Sequence, residues 1–415
     1  MNVKKGVIVG LDRYRKGMLN YYLDELENLA QSLNIEIEER FTQSKEYGTP
    51  AYKVGKGKVE EIKAYTDMYD IDYVIFNEEL SNSQIRNLEE AFDCAVIDRT
   101  LLILDIFAKK AKTREAMLQV EIAQLKYLKP RLTAMRSSFE QQQGGIGQKG
   151  PGEKKLELDR RKLDKELRKL EKQLANIMQT RKTNRLQRSS GHIKNVAIVG
   201  YTNAGKSTLI NVLRQHSQLE GKDEMNVEDR LFATLETSTR RLQFKEKKPF
   251  TITDTIGFIA HLPHELVDSF KATLEEIKEA DLLIHVIDFS HPYYLDQIQT
   301  TEQVLEELGA DEIETLYLFN KIDLTNDILP HAYRPAMKVS LKDGTNIDLL
   351  IDTINKLLFK DDTIAVYKIP QTRGDLVSEL NDHAEIIRTD YEDDFIVIKA
   401  KVDSRLKGRF RQYEA

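Results

Sequence analysis

"NVAIVGYTNAGKSTLINVL", Asn195 to Leu213, runs from an apolar stretch through a glycine-bounded loop into an amphipathic segment. Within it Gly200 to Ser207, "GYTNAGKS", fits G-x-x-x-x-G-K-[ST] between an expected strand and an expected helix, the setting in which that pattern holds a phosphate chain. Gly200 and Gly205 let the backbone wrap phosphate oxygens. The amides of the intervening Tyr201, Thr202, Asn203 and Ala204 and the helix N-terminus are then directed at the anion. Lys206 is expected to neutralise the outer phosphates and Ser207 to offer its hydroxyl to Mg²⁺. The surrounding stretch, about His192 to Lys360, alternates apolar runs with helical patterns: "FTITDTIGF", "DLLIHVIDFS", "TLYLFNKIDL" and "AMKVS" read as largely buried strands. A mostly parallel sheet with helices on both faces follows.

The loop alone does not separate ATP from GTP, so the choice rests on the base pocket. "NKID", Asn320 to Asp323, directly follows the strand-like "TLYLF", about 115 residues after the phosphate loop, at a carboxyl end where open α/β sheets bind ligands. A carboxylate at Asp323 accepts both hydrogens that guanine presents at its ring and exocyclic nitrogens, a pair adenine lacks. Asn320 is expected to brace the loop and the base, and the aliphatic stem of Lys321, beside Ile322, to cover the base plane. Ser340, Leu341 and Lys342, after the next strand, complete the pocket with a backbone amide for the guanine oxygen.

Between these loops lie the expected γ-phosphate sensors. "DTIG", Asp254, Thr255, Ile256 and Gly257, places Asp254 to hold Mg²⁺ through water and the Gly257 amide to bond the γ-phosphate only while it is present, which makes a switch. Upstream, "LFATLETSTRR" offers Thr234, Thr237, Ser238 and Thr239 as hydroxyls that close over Mg²⁺. Position before the strand "RRLQF" leaves Thr234 and Thr237. Phe258 stands where Ras-type GTPases carry a glutamine that orients the attacking water. A phenyl ring cannot do so, and slow intrinsic turnover that awaits a group from elsewhere is expected. The alternative is an exposed hydrophobe on a mobile loop.

The rest of the chain is modular. At 415 residues it has room for two to four domains. Met1 to about Lys112 alternates "GVIVGL", "DYVIFN" and "CAVID" with helices such as the one whose buried face is Leu19, Leu23, Leu26, Ala30 and Leu33, an α/β domain. Residues 113–191 read as an antiparallel helical hairpin: Leu118, Ile122, Leu125 and Leu132 form one seam, Leu156, Leu163, Leu167, Leu170, Leu174 and Ile177 the other. A glycine-rich tip, residues 141–155, interrupts them, with Pro151 as a further breaker. Residues 361–415 form a small α+β domain with one helix, one or two strands and a basic tail, "RLKGRFRQY". The formal net charge is −6, yet Lys126 to Lys194 carries nineteen basic against seven acidic residues, a candidate polyanion-binding element. One cysteine, Cys94, excludes an intrachain disulfide, and neither a signal peptide nor a membrane span is legible, so a cytoplasmic setting is expected, with peripheral membrane contact left open.

With these residues in hand the chain resembles the HflX family of translational GTPases, through "GYTNAGKSTL", "FATLETST", "DTIGF" and "NKID", and outside the GTPase part through "GGIGQKGPGE", "KVGKGKVEEI" and "TRGDL". The resemblance implies Thr234 as the switch threonine on Mg²⁺, nucleotide contacts at Phe232, Ala233, Thr234, Leu235 and Glu236, and a hydrophobe at Phe258 as normal. It further implies GTP hydrolysis stimulated by the ribosome, binding to the large ribosomal subunit and its rRNA, and splitting of stalled or idle ribosomes. The protein itself is expected as a monomer. Two other readings fit the sequence: a GTP-switched adaptor whose hairpin binds a protein, and an ATP-driven RNA remodeller using "VGKGKVEEI", Val54 to Ile62. That stretch lacks a full Walker pattern and reads better as a loop-to-helix turn or an RNA phosphate contact.

Overall fold

The computed structural model describes residues 3–12, 17–44, 48–141, 151–188, 193–218, 238–245, 247–259, 274 and 276–415. They fall into two compact units, one within Met1–Gln187 and the other from Arg188 onward.

In the first unit, β1 (Lys4–Asp12), α1 (Met18–Ser32), β2 (Ile35–Ser44), α2 (Lys56–Tyr69), β3 (Tyr73–Phe76), α3 (Asn82–Phe92), β4 (Ala95–Asp98) and α4 (Arg99–Lys110) alternate along the chain. The four strands form an all-parallel sheet in the order β2-β1-β3-β4. Alternation along β1 sends Val7, Val9 and Leu11 into the core that Val59 and Ile62 of α2 and Leu88 and Phe92 of α3 complete. α1 and α4 pack against each other, and the buried ion pair of Arg99 with Glu25 ties them. Asp98 caps α4 by accepting the Leu101 amide at 3.0 Å and also receives the Tyr127 hydroxyl from the next helix. The "VGKGK" stretch is a loop-to-helix turn: Gly55 precedes α2, its amide donating to Gln43 Oε1 at 2.8 Å, while Val54 is buried and Lys58 pairs with Glu61 at 2.6 Å.

α5 (Arg114–Gln141) and α6 (Pro151–Arg188) are the hairpin arms. Leu118, Ile122 and Leu125 of α5 meet Leu167, Leu170, Leu174 and Ile177 of α6. The cross-links Arg114–Gln173 (2.8 Å), Lys126–Glu171 (3.1 Å) and Lys129–Asp164 run in opposite directions along the two helices, so they are antiparallel. The seam positions Leu132 and Leu156 have no described side chains, and residues 142–150 of the tip lie outside the described residues. One expectation is corrected. Pro151 opens α6 instead of breaking the chain before it, because a proline at the first helical position gives up an amide that has no intrahelical partner there.

The second unit begins with β5 (Asn195–Val199), α7 (Lys206–His216), β6 (Ser238–Leu242), β7 (Phe250–Asp254), β8 (Leu282–Asp288), α8 (Tyr294–Leu308), β9 (Thr315–Asn320), β10 (Ala336–Lys338) and α9 (Ile347–Leu358). The strands form one sheet in the order β10-β9-β8-β5-β7-β6, parallel except for β6 against β7. One face packs on Leu209, Ile210 and Leu213 of α7 and Leu350 and Ile354 of α9. The opposite face carries Ile287, Phe289, Phe319 and Ile298 of α8. Four of the five site segments identified in the sequence leave this sheet at its carboxyl edge, and the fifth, Phe232 to Glu236, lies outside the described residues.

β11 (Thr363–Pro370), α10 (Gly374–His383), β12 (Glu385–Tyr391), β13 (Phe395–Val402) and α11 (Ser404–Arg409) complete the chain, with an antiparallel sheet ordered β11-β13-β12. This part holds more than the sequence pattern suggested. "TIAVYKIP" is a full strand, and the basic tail folds back: Phe410 is buried against Tyr367 at 5.5 Å and the Ala415 amide donates to Val366 O at 2.9 Å. The apolar pair Leu406 and Phe410, one helical turn apart, outweighs the charge of its neighbours.

Candidate functional site

Gly200 leaves β5 at φ 141°, where a Cβ would lie 2.3 Å from the Val286 carbonyl oxygen, so only glycine lets the loop pass over β8. Asn203 takes φ 61° at the apex and Gly205 precedes α7. The loop closes around its own lysine: Lys206 Nζ donates to the carbonyls of Gly200 (3.0 Å) and Tyr201 (2.6 Å). Burial pulls the ammonium down to about 8, opposed by the nearby Asp254 carboxylate, which raises it. Tyr201, Thr202 and Ala204 are buried and Asn203 is exposed.

Asp254, at the end of β7, is wholly buried, and Ser207 Oγ lies 3.5 Å from its Oδ2. These hard oxygens, open to supplementation by phosphate and water, suit Mg²⁺, which binds through few protein groups and keeps much of its hydration. Thr255 Oγ1 donates to Ile198 O at 2.5 Å, and Ile256 is buried, which fixes the start of the "DTIG" segment to the sheet. The next residues are zipped to the phosphate loop: the Phe258 amide donates to Gly200 O (3.1 Å) and the Thr202 amide to Phe258 O (2.8 Å). Phe258 is 1% exposed, so the reading of it as an exposed hydrophobe is overturned; the backbone pairing carries its ring inward.

The base-side loops are braced by Asn320, 4% exposed. Its Nδ2 donates to Ala204 O at 2.9 Å and its Oδ1 accepts the Leu341 amide at 3.1 Å, which joins the phosphate loop to the loop after β10. Ser340 Oγ donates to Asp323 Oδ1 at 2.8 Å and accepts the Asp343 amide at 3.2 Å, orienting an exposed carboxylate. Lys321 adopts φ 64°, and its Nζ pairs with Asp288 Oδ2 at 2.6 Å, while Ile322 packs on the Phe289–Phe319 cluster and Lys342 is exposed. Asp288 was not singled out in the sequence. It ends the apolar strand β8, and the rule that points to Asn320 and Asp323 points to it as well.

The structure thus gathers Gly200–Ser207, Asp254–Gly257, Asn320–Asp323 and Ser340–Lys342 at one sheet edge. Phe232 to Glu236, with Thr234, and also Thr237, lie outside the described residues. Ser238 and Thr239 belong to β6, and Thr239 Oγ1 meets Thr253 Oγ1 at 3.0 Å inside the sheet. Among the described residues no group of three or more His, Cys, Asp or Glu could hold a metal unaided, and no helix is long and apolar enough to cross a membrane.

A phosphate loop, an aspartate-led switch strand and an Asn-Lys-x-Asp loop at the carboxyl edge of a mostly parallel sheet define a P-loop GTPase. Three family models match in succession: "GTP-binding GTPase N-terminal" over residues 20–108, "GTP-binding GTPase Middle Region" over 110–188 and "50S ribosome-binding GTPase" over 195–321. The chain is 42% identical over 391 residues to the GTPase HflX of Caldanaerobacter subterraneus subsp. tengcongensis, spanning 94% of this chain and 90% of that one. It is 39% identical over 362 residues to the GTPase HflX of Escherichia coli K12, spanning 86% and 83%. It belongs to the HflX family and hydrolyses GTP. Among solved structures, a GTP-binding protein of Sulfolobus solfataricus in complex with GDP matches 86% of this chain and 99% of its own, with 24% identity and a TM-score of 0.46.

Proposed function

We propose that the protein is a GTP-switched ribosome factor that binds the large ribosomal subunit in its GTP state and splits stalled or idle ribosomes into subunits. The observation that carries this reading is the charge of the hairpin. A GTPase of net charge −6 holds nineteen Lys or Arg against seven Asp or Glu between Lys126 and Lys194, as a partner made of RNA phosphate requires. We assign the work to four parts: an N-terminal α/β domain (1–112), the hairpin (113–191), the GTPase domain (192–360) and a small C-terminal domain (361–415). The protein would act as a cytoplasmic monomer that associates with ribosomes.

In the GTPase domain Gly200 to Ser207 would cradle the phosphates, Lys206 exchanging its loop carbonyls for phosphate oxygens. Asp323 would read the guanine edge, with its carboxylate held by Ser340. Lys321 and Ile322 would flank the base plane, and the Ser340–Lys342 loop would offer an amide to the guanine oxygen. Ser207 and Thr234 would hold Mg²⁺, with Asp254 acting through water, and the ion there would offset charge on the phosphates. Thr234 and its neighbours Phe232 to Glu236 would close over the nucleotide, while Gly257 senses the γ-phosphate. Intrinsic hydrolysis would be slow, because Phe258 offers no hydrogen bond to water, and the bound ribosome would accelerate it.

The test is sedimentation of the intact protein with purified large subunits in the presence of a non-hydrolysable GTP analogue, GDP or no nucleotide, repeated over a range of salt. The reading expects pelleting with the analogue that falls steeply with salt, as counterion release demands. Equal pelleting in all three states would remove the switch. Binding insensitive to salt would favour a protein adaptor.

A further inference from the structure

We propose that the Thr202 hydroxyl is a catalytic group of the GTPase reaction, taking the water-positioning part for which Phe258 has no hydrogen bond. The proposal rests on the nucleotide site described above and assigns one more role within it. Thr202 is 7% exposed, and its Oγ1 is buried with no hydrogen-bond partner among the described residues. A hydroxyl left so is costly to keep, because native structures pair nearly all their buried polar atoms. Valine would fill the same space without that cost.

Its location gives the cost a purpose. The Thr202 amide is spent on Phe258 O at 2.8 Å, which fixes the residue against the switch segment. A Cβ on Gly257 would lie 2.8 Å from Lys206 Nζ, 3.0 Å from Thr202 Cγ2 and 3.1 Å from Thr202 Cα. Thr202, the phosphate lysine and the γ-phosphate sensor therefore converge on one point. The nearest side-chain atoms there are Lys206 Nζ, an ammonium that can only donate, and the Thr202 methyl, and a change of χ1 rotamer about the same Cβ exchanges that methyl for the hydroxyl, which both donates and accepts. A group that positions water must accept from it, which Lys206 cannot do.

The step balances as follows. The water oxygen bonds to the γ-phosphorus while the bond from that phosphorus to the bridging oxygen breaks, its electron pair leaving with GDP. The water proton ends on the released phosphate. Thr202 Oγ1 accepts a hydrogen bond from the water and donates its own to a γ-phosphoryl oxygen, and it is unchanged after the turnover.

The experiment is single-turnover hydrolysis of GTP by wild type, Thr202→Val, Thr202→Ala and Thr202→Ser, with and without large subunits, beside the Kd for GDP and the thermal midpoint. Val and Ala are expected to lower the rate about 100-fold, the order seen on removing one aligned transition-state hydrogen bond. Ser should stay within about threefold of wild type, since it keeps the hydroxyl at the same Cβ. Kd for GDP should shift far less than the rate in Val and Ala, and the Val midpoint should equal or exceed wild type. A purely packing role predicts the reverse, with Val active and Ser impaired, and that result overturns the proposal. So does a rate loss in Val matched by loss of nucleotide affinity. If large subunits stimulate none of the proteins, the ribosome reading fails while the Thr202 comparison still stands on the intrinsic rates.

Discussion

Replacing Asn320 by alanine should damage two loops at once. The side chain is 4% exposed and holds two hydrogen bonds, to Ala204 O at 2.9 Å and from the Leu341 amide at 3.1 Å. Truncation strands a carbonyl of the phosphate loop and an amide of the base loop in a buried setting. At ~1–3 kcal/mol for each stranded group, and with partial relief as the loops relax, the expected loss is about 2–4 kcal/mol. Part of it should appear as affinity. The two loops would embrace opposite ends of the nucleotide and are joined here through one side chain, so the GDP Kd should weaken by up to roughly 800-fold, the limit reached if the whole loss fell on binding. Asn320→Asp isolates the two bonds: it keeps the acceptor for Leu341 but turns a carboxylate oxygen toward the Ala204 carbonyl, and it should bind GDP at least as poorly as alanine does. The assays are denaturant unfolding and titration with a fluorescent GDP analogue. An alanine variant within about 0.5 kcal/mol of wild type, the ordinary scatter of surface substitutions, with unaltered Kd would refute the bracing role.

Three more outcomes are expected. Burial, with a smaller contribution from the Lys206 charge, holds His285 at about 3 in the folded protein against 6.5 when unfolded. Protons therefore bind the unfolded chain first as pH falls below 6.5, and moving from pH 7.5 to 5 should cost ~2 kcal/mol that His285→Gln does not lose, as read by urea unfolding at each pH. Because burial lowers Lys206 to about 8 and bound phosphates would restore its proton, GDP binding should take up protons above pH 8 and weaken as pH rises; calorimetry at pH 8.5 in buffers of different ionisation enthalpy measures that uptake, and none is expected of Lys206→Met. Lys248 and Asp362, 4% and 6% exposed and 2.5 Å apart, link the β6–β7 turn to the residues that lead into β11, so Lys248→Met should lose ~3–5 kcal/mol to the buried carboxylate left behind, and adding Asp362→Leu should recover most of it.

What the sequence disclosed and what it withheld divide along physical lines. Periodicity exposed the strands around the phosphate loop and the seam joining Leu118 and Ile122 to Leu167, Leu170 and Leu174, because each of these buries one regular face. Motif chemistry marked Asn320 and Asp323 at a strand end, where the geometry follows from topology. The C-terminal domain was under-read because "TIAVYKIP" alternates weakly and its tail carries four charges around Leu406 and Phe410. Pro151 reads from sequence as a breaker although it opens α6, because proline ends and begins helices with the same letter. The bonds of Phe258 and Thr202 were invisible, since backbone pairing across 56 residues leaves no pattern in side-chain identity. The Asp288–Lys321 pair was hidden because two strand ends become neighbours only once the sheet order is known.

In the proposed function, guanine recognition at Asp323 would govern a nucleotide-dependent hold on the ribosome. Asp323→Asn exchanges the carboxylate for an amide that suits xanthine, whose oxygen replaces the exocyclic amine of guanine. Pelleting of this one variant with large subunits, in non-hydrolysable XTP against non-hydrolysable GTP, tests recognition and switching together. The account predicts pelleting with the xanthine analogue and little with the guanine analogue, the reverse of wild type. Equal pelleting with both, or with neither while the variant remains folded, would contradict it.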